Sequence, residues 1–184
     1  MHALDRRPSG LTIQCYFGRM YRMLRVFCAT SWELEGERQA FYDVVGDVNE
    51  REAMKHGLLY VPVSLNQVRD KRPLQYTVDE NIRDTRHYIL AIDEDWGPRE
   101  MNFERDYRLA IKCAADPALP MCQSRILLRR APDGSPAPFG ATLAAAGFSY
   151  IDFDGIEEFK RIVRALLCEW LPADAAPQAA DASA

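Results

Sequence analysis

What this chain lacks narrows its chemistry first. Its 184 residues include three histidines and five cysteines, and no two cysteines stand in a CxxC pair. Cys15, Cys28, Cys113, Cys122 and Cys168 are scattered and odd in number, so neither a disulfide framework nor a zinc cage is expected. Free thiols in apolar surroundings fit a reducing, cytoplasmic setting. No stretch approaches the ~20 apolar residues that a membrane span needs, so no membrane partner is expected. The formal charge is −4, with basic residues interleaved among acids, so the basic excess of a nucleic-acid-binding domain is missing. No glycine-rich turn follows the first predicted strand, which excludes a P-loop and a dinucleotide cradle. There is no G-x-S-x-G elbow and no histidine placed for a catalytic triad.

What is present is alternation. Leu24 to Ala29 is a short apolar run and the first predicted strand. From Glu33 onward Leu34, Ala40, Phe41, Val44, Val45 and Val48 recur at helical spacing, which predicts a helix that Gly57 ends. Leu58 to Val63 follows as a second strand, and Pro62, which cannot donate to a ladder, assigns it to an edge. A charged loop leads to a helix near Val78 to Thr85. His87 to Ile92 is a continuous apolar run, the pattern of a strand buried on both faces. A helix from about Phe103 to Ala115 precedes a fourth strand, Arg125 to Leu128. A small helix near Phe139 to Ala146, a fifth strand from Phe148 to Phe153 and a helix from about Ile156 to Trp170 complete the series.

Five strands alternating with helices predict an α/β fold with a doubly wound, five-stranded parallel sheet in the order 2-1-3-4-5, a flavodoxin-like three-layer sandwich. One domain is expected over residues 23–171. Residues 1–22 read as a disordered leader or a misplaced start, with translation beginning at Met20 or Met23. Gln14, Gly18 and Arg19 interrupt their apolar stretch, so they do not form a secretory signal. The Ala/Pro/Asp-rich residues 172–184 read as a disordered tail.

In such sheets ligands bind beyond the carboxyl ends of the strands, at the switch point between strands 1 and 3. Thr30, Ser31 and Trp32 follow strand 1, and Asp93-Glu94-Asp95-Trp96-Gly97 follow strand 3. The start of the next helix brings Glu104 and Asp106 to the same edge, with the Arg69–Pro73 loop beside them. A phospho-receiver domain shares this topology but needs an acidic pair after strand 1 and a lysine after strand 5. Those places hold Ala29-Thr30-Ser31 and Asp154-Gly155. The acidic run at Asp93 lacks further oxygen ligands at a known spacing, so no metal is expected.

Two segments carry a resemblance. Val26-Phe27-Cys28-Ala29-Thr30-Ser31-Trp32-Glu33-Leu34, followed by Glu37-Arg38, resembles the opening of a Toll/interleukin-receptor (TIR)-like domain of the type found before STAND NTPases. Arg69-Asp70-Lys71-Arg72-Pro73 is similar to the R-D-x-x-P core of the TIR loop after strand 2, although Leu74 stands where that loop usually has glycine. The similarity spans roughly Leu24 to Leu171. It implies a signalling or defence module that works by homotypic assembly, as a homo-oligomer or with other TIR-like domains, through Arg69, Asp70, Arg72 and Pro73.

The resemblance also implies NAD as a substrate, held by Thr30, Ser31, Trp32, Asp93 and Trp96. In TIR enzymes a helix carboxylate engages the ribose while the nicotinamide bond breaks, and the family spacing counted back from Ala110 falls on Asp106. Glu104 is the nearest glutamate. A positioned carboxylate stabilises an oxocarbenium-like centre, as in glycoside hydrolysis. An aspartate in place of glutamate withdraws the carboxylate by roughly 1.5 Å, and misplacement on that scale costs on the order of a hundredfold in rate.

Plainer roles stay open for each of these residues. Asp106 and Glu104 suit a helix first turn as acids facing the dipole. Trp96 suits a loop anchor, and Arg69 to Arg72 a solvated turn. Glu37-Arg38 suits a surface pair or a brace to the loop after strand 3. Two alternative functions follow from the same fold: a non-catalytic interaction domain, and a nucleoside deoxyribosyltransferase-like enzyme.

Overall fold

Side-chain parity along the strands decides how this chain is layered. The computed structural model describes residues 12–14, 20–64, 74–97 and 102–176. Strand β1 (Thr12–Gln14) pairs antiparallel with the first residues of β2 (Met20–Thr30). Helix α1 (Glu35–Arg51) leads to β3 (Leu58–Ser64), and α2 (Leu74–Arg83) leads to β4 (His87–Ile92). Then come α3 (Phe103–Ala115), β5 (Gln123–Arg129), α4 (Phe139–Ala145), β6 (Tyr150–Phe153) and α5 (Gly155–Ala175).

Five strands run parallel in the order β3-β2-β4-β5-β6, which is the expected doubly wound sheet. On one face Val26, Cys28, Ile89, Ala91 and Leu127 pack against α1 and α5. On the other, Phe27, Ala29, Tyr88, Leu90, Ile92, Ile126 and Leu128 pack against α2, α3 and α4. All six residues of β4 are buried, as a strand covered on both faces requires. Phe27 and Tyr88 stack across neighbouring strands, with ring centroids 5.5 Å apart. Among the described residues no helix is long and apolar enough to cross a membrane.

Two boundaries differ from expectation. β2 begins at Met20, four residues before the predicted start, because its first turn of ladder is shared with β1 and β3 before β4 pairing begins at Val26. Thr12–Gln14 thus lies paired inside the segment read as a leader. α5 runs through Pro172 to Ala175, into the segment read as a tail. The side chain of Asp174 is tied to the sheet there, and those bonds compensate for the backbone donor that proline removes.

Pro62 sits on the edge strand β3, as the sequence implied. Two residues earlier, the amide and carbonyl of Tyr60 are each bonded at 2.8 Å by the side chain of Asn49 on α1. Those groups point away from β2, and period two aims the Pro62 nitrogen the same way, so no ladder bond is lost.

Candidate functional site

At the carboxyl edge, β2 ends on Thr30 and Ser31 follows it, both buried. The Ser31 amide donates to the Ala91 carbonyl at 3.1 Å, locking the switch point between β2 and β4. Its hydroxyl is buried with no hydrogen-bond partner among the described residues. Trp32 follows and is 63% exposed.

The register that pairs Ile92 with Leu128 brings Asp93 and Arg129 side by side. Arg129 grips Asp93 with two bonds, Nε to Oδ1 at 3.1 Å and Nη2 to Oδ2. Hydrogen bonding to Asp93 raises the guanidinium pKa against the opposing effect of burial, and the carboxylates of Glu37 and Glu33 add to it. Glu37 is buried on the first turn of α1, while Arg38 pairs with Glu35 at 2.6 Å. Glu37 thus adds its charge beside Arg129 at the end of the sheet, and Arg38 is itself largely buried, its side chain 15% exposed.

A cavity of about 630 Å³ opens beside this pair. Asp93 and Glu94 line it after β4, Arg129 and Arg130 at the end of β5, and Asp154 and Gly155 at the start of α5. Ala131, Pro132, Ala137 and Pro138 supply an apolar wall from the connecting loop. The Arg130 amide donates to the Phe153 carbonyl at 2.9 Å, and its guanidinium lies 3.9 Å from Glu158, which also accepts from the Asp154 amide.

Asp106 and Glu104 stand elsewhere. Asp106 is 1% exposed in the first turn of α3, beside Tyr88 on the opposite sheet face from Asp93 and Arg129. Burial raises the Tyr88 hydroxyl well above its ordinary pKa, and the Asp106 charge adds to the rise. Arg105 reaches Asp106 at 3.3 Å and bonds both Asp79 oxygens at 2.7 Å, tying α3 to α2. Glu104 accepts two bonds from Arg108, at 3.0 and 2.7 Å, on the helix surface.

Trp96 turns its ring onto Phe139 and Phe148, with centroids 5.5 and 5.7 Å away, and anchors the loop to α4. Gly97 is needed beside it: φ is +74°, and a Cβ would come within 2.8 Å of Phe103. Of the residues expected to hold a ligand, Asp93 lines the cavity. Arg69, Asp70, Arg72 and Pro73 lie outside the described residues. The sequence reading passed over Arg129 and Arg130, although paired arginines directly after the apolar run Ile126-Leu127-Leu128 were a visible signal.

No protein-family model matches the chain, and no curated protein matches it. One solved structure of similar shape is the RPS4 and RRS1 TIR domain heterodimer. It shares 12% identity, covers 80% of this chain and 96% of its own, and gives a TM-score of 0.45.

Proposed function

We propose that this domain is a TIR-like signalling or defence module that assembles with like domains and binds a nucleotide, NAD foremost, at its carboxyl edge. The observation that supports it is the cavity at Asp93 and Arg129. Its volume lies within the roughly 300–1,000 Å³ of small-molecule sites. Arginine donors suit phosphate oxygens, carboxylates accept from ribose hydroxyls, and a proline wall suits the flat face of a base. Such a site would lie in the crevice where doubly wound sheets commonly hold ligands.

Cleavage of the nicotinamide bond would need a carboxylate facing the ribose. Asp93 and Asp154 are the aspartates at the cavity, whereas Asp106 is the one suggested by the resemblance. The burial of Asp106 and the pairing of Glu104 with Arg108 favour a second reading, an interaction domain without turnover.

The deciding experiment incubates the purified chain with NAD at high protein concentration and follows nicotinamide release. Asp93→Asn, Asp106→Ala and Glu104→Ala are run in parallel. Turnover lost in one variant alone assigns the carboxylate. Absence of turnover, with NAD still raising the melting temperature, leaves a binding module. Absence of both sinks the nucleotide reading.

A further inference from the structure

At the opposite edge of the sheet, at the other end of β4 from the ligand cavity, lies a buried charge cluster. Asp174, on the last turn of α5, is 1% exposed. Its carboxylate accepts from Tyr60 Oη of β3 at 2.8 Å, from His87 Nε2 of β4 at 2.6 Å and from Arg86 Nε at 2.9 Å. His87 is equally buried and stacks on Trp170, with ring centroids 4.2 Å apart.

Because Nε2 faces a carboxylate, the neutral ring carries its proton there. The other nitrogen, Nδ1, is buried and has no hydrogen-bond partner among the described residues. A second proton would occupy a site with no acceptor, under the repulsion of Arg86 and Arg125. The turn lacks one bond of its own backbone ladder. Pro172 inside α5 has no N–H for the carbonyl four residues back, so the bonds to Asp174 secure what the helix ladder secures elsewhere.

We propose that Asp174, His87, Tyr60 and Arg86 form an acid-sensitive latch. At neutral pH and above, they clamp the last turn of α5 to the sheet; protonation releases that turn while the sheet stays folded.

The signs of the titrations agree with this. Burial holds the His87 pKa below that of an ordinary imidazole, with Asp174 opposing and the two arginines adding to the depression. For Asp174, burial alone would raise the value, but hydrogen bonds from His87, Arg86 and Tyr60 outweigh it and keep it below the usual carboxylate range. Opening that lifts Asp174 and Trp170 from His87 hydrates the ring and removes the burial that depresses it, so the open turn binds protons that the closed one refuses. Closure weakens as pH falls below about 6.5, the ordinary imidazole value, and Asp174 adds its share only below about 4.

The other groups facing the cluster are Cys168, Cys122 and the Arg125–Glu169 pair at 3.9 Å.

Hydrogen exchange on the full chain tests the latch. From about pH 7.5 to about pH 5, corrected for intrinsic rates, amides of the last α5 turn should lose protection by about tenfold or more. Amides of β2, β4 and β5 should keep theirs. His87→Gln keeps a donor toward Asp174 without a titrating ring, and the step should vanish. A pH-independent turn overturns the proposal. So does a step that survives His87→Gln, or protection lost across the sheet at once. Should that variant fail to fold, NMR titration of His87 in the unaltered chain decides: a midpoint at or above about 6.5 overturns the latch, and one below supports it.

Discussion

At the amino edge of the sheet, three side chains surround the carboxylate of Asp174 and close it from water; at the carboxyl edge, Asp93 is held by Arg129 and borders a cavity. Both are aspartates beside arginines at strand ends. The difference is saturation. A carboxylate with its acceptor sites filled by three side chains is a structural tie, and burial makes each of its bonds costly to break. A pair only partly buried, with side chains 17% and 32% exposed, can exchange partners with a ligand at lower cost. Charge alone does not mark a site; charge with unfilled neighbours does.

Three substitutions would break or sharpen that contrast. The largest effect is expected from Asp174→Ala, which removes the acceptor of His87 Nε2 and the Tyr60 hydroxyl and leaves Arg86 with its bond to the Pro120 carbonyl. A loss of about 3–5 kcal/mol, the cost of breaking a buried pair from one side, should appear as a lowered denaturant midpoint. Arg129→Ala should cost roughly 1.5–3 kcal/mol, the scale of a hydrogen bond to a charged group, yet abolish any nucleotide-induced rise in melting temperature. If it destabilised as much as Asp174→Ala, the two edges would not differ in kind. Glu104→Ala should be nearly silent, about 0.3–0.5 kcal/mol, as for a surface i,i+4 pair. A larger loss in a thermal melt would mean that Glu104 holds more than Arg108.

The order of the sheet could be read from the chain because it rests on local signals. The apolar run His87–Ile92 showed the centre, and Pro62 showed the edge. Parity then decided the faces. What could not be read are ties between residues far apart in sequence. Tyr60 and Asp174 are 114 positions apart, and nothing near Pro172 signals that the helix will be held past the proline. The same holds for the candidate site. Thr30, Ser31 and Asp93 were placed at the carboxyl edge by strand ends alone. Which sheet face Asp106 would occupy depended on α3 crossing to the side of Tyr88, a tertiary fact. Arg129 is visible after the apolar run, but that it meets Asp93 depends on the β4–β5 register, a pairing of residues 36 positions apart.

The edge strand β3 bears on crowding. Its outward backbone is closed twice, by Asn49 gripping Tyr60 and by a proline with nothing to donate. The far edge, β6, offers only Tyr150–Phe153. A sheet finished in this way resists growth by strand addition, the usual route from concentrated protein to fibre. Copies of this domain packed closely together would meet through helices and loops, contacts that can come apart again.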